Sequence, residues 1–323
     1  MEIIALGIDQ GLANLGFGII NLSLDDNDVE NDIKLIESGT YNTSSKNELQ
    51  DRLLEIHDMI NGLNLKYNAN VVGCEKLFFN PFQKGGRNKS ASIMITNMVS
   101  GIIFLVAGEN KLFIKDFTPG TVKKYVAGSG RATKDEVIKA IDDFCTKQGV
   151  TLETDHEADA ISIGITVARY YVNDVLPIIR ATEAVIKAET SMEEKDLISA
   201  TTMVNSLPLS NEKTDLLKRI GSSYDIVVTN AVVEAETSKT EEDIARAVEL
   251  INALSNGRKK TSLSKRIDKV NKVKIETVAT NSVIEAEISK TNIDIARATE
   301  LINSLPSGRK KTSLSKRVDK IKN

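Results

Sequence analysis

At 323 residues the chain is long enough for two or more domains, and 41% hydrophobic against 27% charged side chains is an ordinary balance for a protein with a buried core. Two cysteines, Cys74 and Cys145, offer neither metal-ligand spacing nor a disulfide framework, which excludes a disulfide-stapled scaffold and suits a reducing cytosol. The net charge of −3 conceals a local imbalance: from Lys76 to Lys134 there are ten Lys or Arg against two acids, a surface suited to phosphates. No basic-then-apolar leader opens the sequence, and the longest apolar run, Met98 to Ala107, is too short to span a bilayer. A cytoplasmic protein with no membrane partner is expected. Aromatic residues become scarce beyond residue 172, where Tyr224 stands alone, so the conventional core is expected in the first half.

In chain order, Met1 to Leu22 reads as a hairpin in which Ile4, Leu6 and Ile8 alternate with Ala5, Gly7 and Asp9. Asp9 closes the first strand on a small, open face. A carboxylate there can hold a divalent metal, and the glycines leave room for a phosphate backbone; equally, Asp9 can simply open a Gly-rich turn. Asp25 to Asp32 is an acidic loop and Ile33 to Tyr41 a third strand. Ser44 or Ser45 is placed to cap a helix whose Leu49, Leu53, Ile56, Ile60 and Leu63 form one stripe, with His57 on its surface. Asn70 to Glu75 is a short buried strand that delivers Glu75 at its end and turns Cys74 to the opposite face as a core thiol.

The stretch Lys76 to Lys89 interleaves Phe78, Phe79 and Phe82 with Lys84, Arg87 and Lys89. Aromatics among cations suit stacking on unpaired bases beside phosphate contacts, unless the rings pack beneath the loop. A helix from about Ser90 to Ala107 is apolar on several sides and is expected to be buried, at a subunit contact. Lys111 to Phe117 is a further strand. Thr118 then caps a helix with Pro119 at its first position. Lys123 and Lys124 precede a Gly-Ser-Gly turn, Arg131 and Lys134 follow it, and Thr133 with Glu136 forms a capping box for a helix to about Lys147. Thr154 or Asp155 caps a last helix through Tyr171. It carries His156 and Asp159 on one face of its first turn, above the small or apolar Ala160, Ile163, Gly164 and Val167. If Asp9, Glu75, His156 and Asp159 converge, three carboxylates and an imidazole can hold two divalent metals about 4 Å apart, and carboxylates suit Mg²⁺ or Mn²⁺.

Four separated motifs now stand in order: Gly7-Ile-Asp-Gln-Gly11 with Gly16-Phe-Gly-Ile-Ile20; Glu75-Lys-Leu-Phe-Phe79; Thr118-Pro with Val122-Lys-Lys and Gly128-Ser-Gly-Arg-Ala-Thr-Lys134; and His156-Glu-Ala-Asp-Ala160. Together they resemble the RuvC-type Holliday-junction resolvases, ribonuclease-H-like dimeric metal-dependent endonucleases, over residues 1 to about 172. The resemblance implies an α/β domain at 1–172 with a mixed five-stranded sheet and flanking helices. It implies a homodimer through this domain, cleaving Holliday junctions or other branched DNA by two-metal phosphodiester hydrolysis. Asp9, Glu75, His156 and Asp159 match the metal positions, and Lys123 and Lys134 the basic residues near the scissile phosphate. Phe78 matches the aromatic that stacks at the junction centre, with Phe79, Lys84, Arg87, Lys89, Lys124 and Arg131 completing the expected DNA surface. The alternative is a non-catalytic junction-binding scaffold with a degenerate site. Two departures bear on the site: Gln10 stands where the family usually has Pro, which is expected to loosen the turn after Asp9, and His156 replaces the commoner Asp. The Lys84-Gly-Gly-Arg87 loop resembles phage members and implies a broader branched-DNA range.

From about Ala181 the chain repeats. Ala184-Val-Ile-Lys-Ala-Glu189, Ala231-Val-Val-Glu-Ala-Glu236 and Ser282-Val-Ile-Glu-Ala-Glu287 open three copies, at 181–225, 229–272 and 279–323. Each reads as three short helices, so the second half is expected to be all-α modules, similar to the helical repeats of Gram-positive surface and phage proteins. They read as a spacer or adhesion array. Lys218-Arg219, Lys265-Arg266, Lys316-Arg317 and the Gly-Arg-Lys-Lys-Thr segments at Gly257 and Gly308 leave a DNA-holding role open. The sequence names no partner for them.

Overall fold

The computed structural model describes residues 1–76 and 86–322, the side chains of 86–92 and 322 excepted. It divides into two compact units, Met1–Pro177 and Ile178–Asn323. In the first, β1 (Glu2–Asp9), β2 (Asn14–Leu24) and β3 (Glu30–Asn42) form an antiparallel meander. Parallel β4 (Val71–Glu75) and β5 (Phe113–Phe117) join its β1 edge, giving the order β3-β2-β1-β4-β5. This is the mixed five-stranded, ribonuclease-H-like sheet expected from the sequence.

The period-two alternation of β1 divides the core. Leu6 and Ile8, with Val72 and Cys74 of β4, face α1 (Leu49–Tyr67) and α2 (Gly86–Glu109). Ile3 and Ala5, with Val71, face α4 (Lys134–Thr146) and α5 (Asp155–Tyr170), and α3 (Pro119–Ala127) packs beside them. Each fully buried Leu or Ile in these layers contributes about 1.5–3 kcal/mol. A single π-helical turn, Tyr171–Val175, follows α5.

The Gly7 face is where the expectation from sequence and the structure part. It is not open to a ligand, because α5 lies on it. A Cβ on Gly7 would run into the Ala160 carbonyl and the Gly164 backbone, and one on Gly16 into the His156 carbonyl. These two glycines let the helix backbone touch the sheet, which sets the start of α5 over the end of β1.

Helix starts follow local chemistry. Thr118 and Thr154 accept from Thr121 N and Glu157 N, and Thr133 and Glu136 form the full capping box. Neither Ser44 nor Ser45 caps α1. Ser44 Oγ accepts from Lys46 N in a tight turn, and the helix begins at Leu49 after an uncapped Glu48. Nor is α2 buried all round. Val99, Ile103 and Val106 enter the core, whereas Met94, Met98, Phe104 and Leu105 are exposed.

The second unit is all-helical: α6 (Leu176–Ser191), α7 (Glu194–Ser206), α8 (Asn211–Ser238), α9 (Glu241–Ala253), α10 (Arg258–Ser289), α11 (Asn292–Ser304) and α12 (Arg309–Lys322). Its core repeats with the sequence. Val185, Val232 and Val283 are buried at one equivalent position, Leu197, Ile244 and Ile295 at another, and Leu216, Leu263 and Leu314 at a third. The copies are not sets of three short helices. The third helix of one copy runs on as the first of the next within α8 and again within α10. The linking residues contain no proline, and nothing else there interrupts the helix. Breaks fall instead at Leu207-Pro208, Leu254 and Leu305-Pro306, where the backbone turns extended, and at Met192, Lys239 and Lys290, which take the left-handed conformation. Among the described residues no helix is long and apolar enough to cross a membrane.

Candidate active site

Strands β1 and β4 run parallel and pair in register from Ala5–Val71 to Ile8–Cys74. Asp9 and Glu75 are therefore matched positions one step beyond the last pair, projecting from the α5 face at the carboxyl ends of two parallel strands. Ligand crevices of open α/β sheets lie at such ends. Asp159, from the first turn of α5, completes one cleft of about 360 Å³ with Asp9, Glu75, Lys123 and Lys134. Val122, Val137 and Ile163 form part of its apolar wall. Lys123 comes from α3 and Lys134 from the first position of α4, helices whose starts are set by threonine caps.

Burial raises the Asp9 carboxyl above its ordinary value, against the hydrogen bond and charge of His156. Burial, and then the charges of Asp9 and Asp159, raise Glu75. Desolvation and the Asp9 charge raise Asp159 too, although the residue is open to solvent, with Lys134 pulling the other way. Three carboxylates thus repel one another across a shared space.

His156 does not line the cleft. Its Nδ1 is 2.6 Å from Asp9 Oδ2, which leaves Nε2 as the other donor atom of the ring. Asp155 is exposed, lies outside the cleft lining and pairs with Lys134 at 3.4 Å. Lys124 and Arg131 are exposed and lie outside the cleft lining, Lys124 near the face of the Tyr125 ring. Phe78, Phe79 and Lys84 lie outside the described residues; Arg87 and Lys89 belong to α2, with side chains outside them. Cys74 is fully buried on the opposite face and its thiol is pushed up to about 12, an inert core group.

Sequence reasoning missed what Gln10 does. Its side chain is buried and bonds to both backbone groups of Glu75, so the turn after Asp9 is tied down rather than loosened.

Among the described residues, no three His, Cys, Asp or Glu side chains are gathered closely enough to hold one ion as they stand. The donor chemistry nevertheless fits a hard divalent cation. Asp9, Glu75 and Asp159 supply anionic oxygens, and their mutual repulsion is what such an ion relieves.

Fold and cleft together define a ribonuclease-H-like domain with an acidic centre flanked by lysines. A family profile described as crossover junction endodeoxyribonuclease RuvC matches residues 5–167. The RuvC protein of Halothermothrix orenii is 36% identical over 163 residues, which span 50% of this chain and 90% of that protein. That of Rickettsia akari is 32% identical, over 50% and 95% respectively. Thermus thermophilus RuvC, solved alone, aligns with a TM-score of 0.44 at 23% identity, covering 52% of this chain and 95% of its own. Its complex with a Holliday junction substrate aligns equally, over 53% and 95%. The chain belongs to the RuvC family of crossover junction endodeoxyribonucleases.

Proposed function

We propose that the first unit is a metal-dependent, structure-selective endonuclease that hydrolyses phosphodiesters in Holliday junctions or related branched DNA. The observation that carries this reading is the convergence of Asp9, Glu75 and Asp159 with Lys123 and Lys134 on one cleft. Asp9, Glu75 and Asp159 would hold Mg²⁺ or Mn²⁺, with His156 Nε2 as a further donor. A pair of such ions held by these residues would supply charge neutralisation at the scissile phosphate and a water made nucleophilic at neutral pH. Lys123 and Lys134 face the same space and offset the charge that builds on the phosphoryl oxygens. The hydrogen bond from His156 orients Asp9 and fixes which of its oxygens remains available.

A homodimer would cut both strands symmetrically. The exposed Met94, Met98, Phe104 and Leu105 of α2 support this, since a bare apolar helix face favours a protein partner. For the second unit we favour a spacer or adhesion array. Arg219, Arg266 and Arg317 are each committed in a two-point bridge to Glu189, Glu236 or Glu287. Lys213, Lys260 and Lys311 each cap the preceding helix through two carbonyls. Those cations serve the module rather than a phosphate backbone.

The test is cleavage of four-way, three-way and flapped DNA with and without Mg²⁺ or Mn²⁺. Asp9→Asn, Glu75→Gln and Asp159→Asn should each lower the cleavage rate by about 10²–10³-fold while junction binding stays within a few-fold, because affinity comes chiefly from phosphate charge. Cleavage near the wild-type rate by any of the three removes that residue from the site.

A further inference from the structure

Gln10 is one residue past the end of β1, and only 5% of it is exposed. A buried carboxamide needs partners for both its donor and its acceptor. Here both are the backbone of Glu75: Oε1 accepts from Glu75 N–H at 3.0 Å, and Nε2 donates to the Glu75 carbonyl at 2.5 Å. The β1–β4 ladder ends at Ile8–Cys74. Beyond it the two strand ends carry the carboxylates, and the Gln10 side chain continues the ladder as a substitute peptide group. On its other side Glu75 pairs with Phe117 of β5, and Lys76 N–H donates to the Phe117 carbonyl at 2.8 Å. Glu75 is thus held by both neighbouring strands, and its tie to β1 comes from the residue covalently next to Asp9.

We propose that Gln10 is a positioning residue whose amide fixes the Glu75 backbone to the end of β1 and so sets the spacing of the Asp9 and Glu75 carboxylates. The inference rests on the reading of this cleft as a divalent-metal nuclease site. Side-chain chemistry makes the role specific to glutamine. Asn is one methylene shorter, Glu has no donor for the carbonyl once ionised, and Pro or Met supplies neither hydrogen bond. Groups that orient a metal-holding carboxylate by hydrogen bonding typically matter to affinity or activity by about 10–100-fold.

The experiment compares full-length wild type, Gln10→Met, Gln10→Asn and Asp9→Asn. Calorimetric titration with Mn²⁺ in the absence of DNA is paired with junction binding in EDTA and with kcat and KM for a four-way junction in Mg²⁺. Gln10→Met keeps the length and loses both bonds. It should bind Mn²⁺ about tenfold or more weakly and lose about 10–100-fold in kcat, with KM and EDTA junction affinity within about twofold of wild type. Wild-type Mn²⁺ affinity in Gln10→Met overturns the proposal, as does a loss that appears equally in junction binding without metal. If Gln10→Met does not fold, Gln10→Asn decides: retained Mn²⁺ affinity in that soluble variant overturns the role, and a loss matching the prediction for Met supports it. Asp9→Asn separates the two levels. If it binds Mn²⁺ as wild type does, the site reading itself fails. If it loses binding while Gln10→Met does not, only the role of Gln10 fails.

Discussion

At the scale of single residues, charge decides more than contact. His57 stands on α1 with its ring between Asp58 and Glu109, each at 3.0 Å, and so ties α1 to the last residue of α2. Hydrogen bonds to Asp58 and then Glu109 raise its pKa above 6.5. A base whose folded pKa is raised gives stability that is complete below the unfolded value and is lost as pH rises through the folded one. Replacing it by Gln should therefore lower the melting temperature below pH 6.5 and leave it unchanged well above the folded value. Because the carboxylates are exposed, the acid-side loss should stay below about 1 kcal/mol. An equal loss at both ends of the pH range would assign His57 a packing role instead. The acidic positions were legible in the sequence for a simple reason. Asp9 ends a period-two strand, Glu75 ends a short continuous apolar run, and Asp159 sits on a helical face, so the hydrophobic pattern places them. Gln10 was not legible: a side chain bonding to a backbone 65 residues away leaves no period to read. The same holds for the His156–Asp9 bond, although both partners were picked out individually.

At the scale of elements, hydrophobic pattern identified the strands and helices, while their ends were decided by contacts the pattern does not contain. Ser44 was diverted into its own turn, and α8 and α10 ran through the joints between repeats because nothing there stops a helix. The exposed side of α2 is a further case, since an all-round apolar helix reads as buried on every side, whereas only the side bearing Val99, Ile103 and Val106 enters the core. Within the repeats, one ion pair recurs in register. The Arg266–Glu236 bridge spans 30 residues, joining the start of α10 to the end of α8, and its equivalents in the other copies have the same span. The bridge holds the Glu236 carboxyl below its ordinary 4.5, chiefly by hydrogen bonding. Depressed acids stabilise above their unfolded pKa and lose that contribution as pH falls through the folded value. Arg266→Ala should thus cost the second unit about 0.5–1 kcal/mol near neutral pH, given that both groups are about a third exposed. That difference should close as the medium is acidified below pH 4.5. Chemical denaturation of residues 178–323 at the two pH values measures it, and a cost independent of pH would point to lost packing of the arginine stem.

At the scale of the whole molecule, the hydrophobic cores show where the chain can be divided. The two clusters that sandwich the sheet use residues from Ile3 to Leu176, and the two helical clusters use residues from Ala181 to Val318. Among the described residues, each of the four clusters is built within one unit. Every described residue lining the acidic cleft falls between Asp9 and Ile163. A chain ending after Pro177 should accordingly fold, melt cooperatively and cleave branched DNA in Mg²⁺ or Mn²⁺ at a rate within a few-fold of the full chain. Residues 178–323 should remain helical and show no cleavage. The informative comparison is junction affinity across salt concentrations. Binding through lysines of the first unit alone predicts the same salt slope for the shortened and full chains, because equal numbers of phosphates are neutralised. A slope shallower by one or more in the truncated form would mean that cations of the repeats also touch DNA, and would move the second unit from spacer to substrate-holding surface. An insoluble or uncooperative 1–177 would instead place the true boundary further along the chain.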